Sequence, residues 1–168
     1  AIRPDLVIKP LRGNVNTRLA KLDAGDFDAI ILAASGLKRL GFDERIKSSL
    51  SETESLPAVG QGALGIECRS SDQEIKDLLK PLIHDDSTVC VTAERAMNYR
   101  LHGGCQVPIA GYATLAGNEI TLQGLVASTD GETVLKSTMS LPKAQAEELG
   151  KAIAEDLLDQ GAEPLLAA

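Results

Sequence analysis

The sequence predicts a partial parallel-sheet α/β domain followed by a small α+β domain with a three-stranded antiparallel sheet and helices. Three observations carry this reading. Residues Ala29-Ile30-Ile31-Leu32-Ala33-Ala34 are apolar without alternation, as a parallel strand covered on both faces requires. Segments 109–115, 119–127 and 133–140 read as strands separated by turn signals at Asn118 and Asp130-Gly131. The closing apolar positions Leu149, Ile153, Leu157 and Leu158 recur at helical spacing.

Taken in order, Leu6-Val7-Ile8 reads as a strand, 14–24 as a helix stopped by Gly25, and 28–34 as a second strand, together a βαβ unit. A short helix follows from Gly36 to Leu40, then a polar loop from Ser48 to Pro57. A lone βαβ unit cannot bury both faces of its sheet, and the chain starts inside one without a methionine. Residues 1–58 are therefore expected to be the C-terminal part of a larger α/β ligand-binding domain, and the chain a fragment. Residues 59–84 read as a glycine-rich crossover, a strand over Leu64–Arg69, and a helix capped by Ser71-Asp72. That helix runs to Leu82 with Ile75, Leu78, Leu79 and Leu82 on one face. In the α+β domain of residues 85–168, Ser87 or Thr88 opens a helix to Leu101. Pro142 sits in the first turn of the last helix, which ends near Gln160 with Gly161 as its stop.

Composition excludes several classes. The 168 residues are 43% hydrophobic, enough for a core, yet no apolar run approaches the roughly 18 residues of a membrane span. The start lacks a signal-peptide core, so the expected location is cytoplasmic. Three cysteines, an odd number in a chain with no secretory signal, argue for reduced thiols. Net charge is −7, divided as +3 over residues 1–47 and −10 over residues 48–168. With 2% aromatics there is neither a basic stripe nor a stacking platform, so no nucleic acid is expected. The basic N-terminal part is expected to meet a small anion.

The first candidate constellation is Leu11-Arg12-Gly13-Asn14-Val15-Asn16-Thr17-Arg18, at the strand-to-helix turn where ligands of open α/β sheets bind. Cations at a helix start are unfavourable by about 0.3–1 kcal/mol each, yet Arg12 and Arg18 flank this one, with Lys9 upstream. A bound carboxylate or phosphate reverses that sign, and the guanidinium fork suits a carboxylate. The competing reading places Arg18 on a solvated face and pairs Arg12 with a surface acid; the residues leave both open. Lys38 and Arg39, after the next strand, favour a polyanionic ligand.

Gly60-Gln61-Gly62-Ala63-Leu64-Gly65 fits G-x-G-x-x-G, but Pro57 precedes it and a β-like stretch follows, so a hinge is the better reading than a nucleotide site. No metal site is expected, since His84, His102 and the cysteines have no ligand spacing. Cys68 and Cys90 read as core residues, and Glu94 and Arg95 as structural helix charges. Tyr99, Arg100 and His102 lie near the loop discussed next and receive no role.

Cys105 stands in Leu101-His102-Gly103-Gly104-Cys105-Gln106-Val107-Pro108, where two glycines and a proline present one thiol on a turn. The preceding helix C-terminus raises a thiol pKa, a poor setting for a protease-like nucleophile. Permanent covalent attachment needs less activation, so a tether is the leading reading.

LRGNVNTRL, DAIILAASGLKRLG, LPAVGQGALGIECR, TAERAMNYRLHGGCQVPIAGYA and the closing helix together resemble the porphobilinogen deaminase (hydroxymethylbilane synthase) family, in family order along nearly the whole chain. The resemblance implies a periplasmic-binding-protein-like α/β layout and a dipyrromethane cofactor attached through a thioether to Cys105. It further implies Arg12, Arg18 and Arg39 as ligands for carboxylates, and Gly104 as the residue that admits the primer. The implied activity is transfer: four porphobilinogen units are joined head to tail with loss of ammonia, and water releases hydroxymethylbilane. The implied partners are porphobilinogen, polypyrrole intermediates and the missing N-terminal segment, with no membrane. No residue here matches the family's catalytic aspartate, so no catalytic residue is assigned and the chain alone is expected to be inactive. The alternative from another class is a noncatalytic small-anion-binding module; a structural metal module is a third.

Overall fold

Asn14 opens the first helix in this computed structural model, which describes residues 3–104 and 107–167. Its Oδ1 accepts from the Thr17 N–H at 2.8 Å and caps α1 (Val15–Asp23), on which Leu19 is buried. The chain divides into two units, residues 1–51 and 52–168. The first holds α1, α2 (Ala34–Arg39, with Leu37 buried) and a 3₁₀ turn at Asp43–Arg45. Arg45 ties that turn to α1 through Asp23 at 2.5 Å.

The two strands expected in this unit are not formed: Leu6–Ile8 and 28–33 carry no strand assignment, and Ala34 instead begins α2. Val7, Ile8 and Ile31 are 81%, 85% and 79% exposed. A strand of a parallel sheet is held by ladder partners and by layers on both faces, and the described residues of this unit supply no ladder partner.

The second unit places helices on one antiparallel sheet. Asp72 Oδ1 accepts from Ile75 N–H at 3.2 Å and caps α3 (Gln73–Leu79), which continues as a 3₁₀ turn over Lys80–Leu82. Then come α4 (Asp85–Arg100), β1 (Ile109–Ala116), β2 (Glu119–Ala127), β3 (Val134–Pro142), α5 (Ala146–Asp159) and α6 (Glu163–Leu166). The expected meander is present, in order β1-β2-β3 with both pairs antiparallel.

Four expectations here are corrected. No strand forms at Leu64–Arg69, where Leu64 is 94% exposed. The α3 face is not buried as a stripe, for Ile75, Leu78 and Leu82 are exposed. The α4 cap is His84 rather than Ser87 or Thr88: its Nδ1 accepts from Ser87 N–H at 3.3 Å, a ring nitrogen replacing the usual oxygen. Pro142 ends β3, and a 3₁₀ turn at Lys143–Gln145 separates it from α5.

Alternation along β2 turns Ile120, Leu122 and Val126 toward α4 and α5. They meet Ala93, Met97 and Leu101 of the first helix and its end, and Leu149, Ile153 and Leu157 of the second, all essentially fully buried. Each large side chain so buried contributes roughly 1.5–3 kcal/mol. Two close approaches set the layer spacing. Gly111 and Gly124 are cross-strand partners, and a Cβ on either would lie 2.5 Å from Met97 Cε or 2.6 Å from Met97 Sδ. Met97 therefore fills a gap that two glycines leave in the sheet. A Cβ on Gly150 would collide with the backbone oxygen of Ala93 and lie 2.7 Å from Ala96 Cβ. Gly150→Ala is thus expected to destabilise the second unit by about 1–3 kcal/mol, read as a lower urea midpoint by circular dichroism; an unchanged midpoint would show that α4 and α5 are not in contact there.

Candidate functional site

At the start of α1 the cap consumes one amide and leaves others. Asn14 Oδ1 also accepts from Thr17 Oγ1 at 2.9 Å, and Arg18 N–H donates to Asn14 O at 3.0 Å. The amides of Val15 and Asn16, the first two of the helix, make no hydrogen bond among the described residues. Gly13 precedes them at φ +124°, and a Cβ there would sit 3.0 Å from Thr17 Cγ2. Only glycine fits this turn without strain.

Arg18 Nε donates to Gly13 O at 2.7 Å, which orients the guanidinium across the turn, and its two terminal nitrogens have no partner among the described residues. Arg12 is exposed, and no ion pair involves it among the described residues. Its expected alternative, pairing with a surface acid, is therefore not what the structure adopts. Lys21 Nζ reaches Arg12 O at 3.4 Å. The turn thus gathers Arg12 and Arg18, with positive charge where the helix dipole is already positive, an arrangement that suits an anion. Arg39 lies apart on α2, as its last residue, where a cation also complements the helix C-terminus.

The thiol loop belongs to the second unit. Cys105 and Gln106 lie outside the described residues. Val107 N–H donates to Gly104 O at 3.2 Å, and Ile109 N–H to Val107 O at 2.8 Å. Before them, α4 ends in a doubly bonded reversal: His102 N–H donates to Tyr99 O at 3.1 Å and Gly103 N–H to Asn98 O at 2.9 Å. The equivalent left-handed position is Gly25 after α1, Gly41 after α2 and Gly161 after α5. After α4 it is His102, at φ +53°, a conformation that disfavours side chains. Gly103 is packed so closely that a Cβ would collide with Asn98 Oδ1, whereas Gly104 is exposed with open space around it.

Arg95, Asn98, Tyr99, His102 and Gly103 enclose a cavity of about 390 Å³ beside this loop. Arg95 and Asn98 were not expected there. The signal was available, since 95, 99 and 102 follow the i, i+4, i+7 spacing of one helix face. Arg100 points elsewhere, to Glu155 at 2.6 and 3.0 Å.

Glu94 is a structural charge, as expected, but a buried one. Its Oε2 accepts from Gly60 N–H at 2.7 Å and its Oε1 from Ala113 N–H at 2.8 Å. Gly111 N–H donates to Pro57 O at 3.0 Å alongside. The glycine-rich stretch is therefore stitched to β1 and α4, with Gly60 and Gly62 at positive φ. Cys90, one turn away, has its thiol pushed up by burial, then by Glu94 and Asp86, which disfavours the thiolate. Cys68 and Cys90 are both free and partly buried. Among the described residues no group of three or more His, Cys, Asp and Glu is placed to hold a metal, and no helix is long and apolar enough to cross a membrane. Glu94→Gln, which puts an amide NH₂ against one of two backbone donors, is expected to cost about 1–3 kcal/mol. Equilibrium urea denaturation measures this, and a change within error would remove Glu94 from the set of structural clamps.

Two family models match the chain. One, described as porphobilinogen deaminase, dipyromethane cofactor binding domain, covers residues 1–77. The other, described as porphobilinogen deaminase, C-terminal domain, covers residues 88–159, which includes α4 from its fourth residue on, the thiol loop, the whole sheet and α5. Only residues 78–87 and 160–168 fall outside both matches. The chain belongs to the porphobilinogen deaminase family, a family of transferases in tetrapyrrole biosynthesis.

Proposed function

We propose that the chain carries a dipyrromethane primer as a thioether on Cys105, with Arg12, Arg18 and Arg39 taking carboxylates of the primer or of incoming porphobilinogen. The observation that supports it most is the turn at residues 11–18. There, among the described residues, an exposed arginine without a carboxylate partner stands beside two amides that no protein acceptor takes, on a turn that a glycine at φ +124° makes possible. Its donor set fits a polycarboxylate better than it fits a neutral ligand.

Each residue has a definite task in this reading. Arg12 presents its fork to a carboxylate, and the Val15 and Asn16 amides add two donors to the same charge. Arg18, held through Nε by Gly13 O, offers its terminal nitrogens at a fixed angle, so little rotamer freedom is lost on binding. Arg39 adds a further cation from the end of α2. Gly104 leaves open space next to Cys105, and Gly103 keeps the loop tight against Asn98. The bound dipyrromethane supplies the pyrrole end to which porphobilinogen units are joined with loss of ammonia, four in all, before water releases hydroxymethylbilane.

In this reading residues 1–58 serve an α/β ligand-binding domain, 59–84 a crossover, and 85–168 the cofactor-carrying domain, in a cytoplasmic enzyme. The catalytic carboxylate comes from the family's preceding segment, and the 168 residues alone do not turn over. Intact-mass measurement of the chain, isolated together with that segment from cells making haem, tests the thioether. The expected mass exceeds that of the polypeptide by a dipyrrole adduct; Cys105→Ser has the bare mass and no pyrrole colour with Ehrlich reagent. A wild-type chain of bare polypeptide mass that still binds small anions would support the noncatalytic module instead.

A further inference from the structure

Asn98 stands in the last turn of α4, seven residues before Cys105. Helix propensity gives no reason for it, since Ala, Leu or Lys serves a helix better than Asn. Its half-buried side chain turns instead to the loop and lines the 390 Å³ cavity with His102 and Gly103. Arg95 and Tyr99 line that cavity too, but they also line a larger one, a groove of about 1440 Å³ walled by residues 62–66, by α3 with its 3₁₀ turn, and by α5. The cations of that groove are Lys76, Lys80, Arg95, Arg100 and Lys151, and Asn98 takes no part in it.

Residue 98 engages both polar groups of the Gly103 backbone. Gly103 N–H donates to Asn98 O at 2.9 Å, and Asn98 Nδ2 donates to Gly103 O at 3.4 Å. The first bond belongs to the helix reversal whatever the side chain; the second needs the amide. The same side chain fills the space beside Gly103, where a Cβ would collide with Oδ1 and lie 2.7 Å from Cγ and 2.8 Å from Ile109 Cδ1. Gly103 is thus held by hydrogen bonds at both its polar groups and by packing on its flank. Gly104 is exposed, with nothing within 4 Å of its Cβ position, and its O accepts from Val107 N–H at 3.2 Å. In the chain, this one open residue separates the fixed point from Cys105.

That order of restraint matters for bond formation. Glycine has more backbone freedom to lose than any other residue, and reaction is fast only when the reacting atoms are held near their final geometry. In the proposed attachment the Cys105 Sγ–C bond forms as the C–N bond of an aminomethylpyrrole breaks, and the thiol proton leaves with ammonia. Two free glycines before the thiol would make room for the adduct but work against this step. Clamping the first and leaving the second open serves both needs.

We infer that Asn98 is a positioning residue for primer attachment: its side-chain amide fixes Gly103, and through Gly103 the stem from which Cys105 meets the pyrrole. The inference rests on the proposed thioether. If Asn98 served stability alone, its loss would lower folding stability and leave attachment as fast as before.

The full polypeptide, including the segment that precedes these residues in the family, is made without primer in cells blocked in porphobilinogen synthesis and then given porphobilinogen. Intact mass followed over time reads the rate of attachment. Asn98→Asp, which keeps the shape but lacks the Nδ2 donor, and Asn98→Ala are each expected to slow attachment at least about tenfold. The urea midpoint is expected to stay within error. Alkylation of Cys105 by iodoacetamide, a reagent that needs no set direction, is expected to change less than about twofold. Gly103→Ala is expected to slow attachment as well, but by less than about twofold when added to Asn98→Ala, because the Oδ1 and Cγ that its Cβ meets are then gone. Attachment within twofold of the unaltered chain in both Asn98 variants, alkylation slowed in step with attachment, or slowing only where the urea midpoint falls with it, overturns the inference. An unaltered chain that gains no adduct overturns the proposed thioether itself, and this role with it.

Discussion

A single buried carboxylate fixes the geometry of the second unit. Glu94 is almost fully enclosed, and a charge so placed is tolerable only when hydrogen bonds satisfy it. It finds its donors in two distant stretches, Gly60 and Ala113, and so binds the glycine-rich stretch, α4 and β1 into one corner. Short of proline, no substitution at 60 or 113 removes its backbone donor, so the side chain at 94 decides whether the corner is tied. The same corner sets where residues 62–66 leave the core, and hence one wall of the cationic groove.

Helix α4 is used on every side. Ala93, Met97 and Leu101 face the sheet and α5, with Met97 seated over the Gly111–Gly124 pair. Arg95 and Tyr99 face outward and line both cavities. Its end carries the one left-handed side-chain residue of the described chain, His102, where three other helices use glycine. Local strain of this kind persists when the surroundings enforce it and clusters at functional loops. Here the enforcing contacts are the two reversal hydrogen bonds and the close packing of Gly103, and the product is a defined approach to Gly104.

Where neighbouring residues alone decide the structure, the sequence was easily read. Alternation in 119–127 and the turns at Asn118 and Asp130-Gly131 specify the meander, and Leu149, Ile153 and Leu157 identify the buried face of α5. Asn14 announced the α1 start for the same reason, a cap reaching three residues. Long-range features were opaque. The apolar run at 29–34 has the composition of a parallel strand, but a strand exists only with partners, and the run ends in a helix at Ala34. Glu94 reads as any helix glutamate until residues 34 positions before it and 19 after it are brought close. The groove cations come from α3, its 3₁₀ turn, α4 and α5, and no local pattern joins them. Of the candidate site, adjacency in sequence places Arg12 and Arg18 on one turn, and spacing places 95, 99 and 102 on one face of α4, but the cavity that Asn98 and Gly103 complete there has no local signal.

Amide hydrogen exchange resolved by residue tests most directly the claim that Glu94 anchors this corner. Gly60 sits in a turn without regular secondary structure, so its amide has no protection unless the Glu94 carboxylate supplies it. The account predicts that Gly60 and Ala113 exchange as slowly as Leu122 in the buried centre of β2, and that Glu94→Gln accelerates Gly60 far more than Leu122. Exchange of the Gly60 amide at the rate of an open loop in the unaltered chain would contradict it.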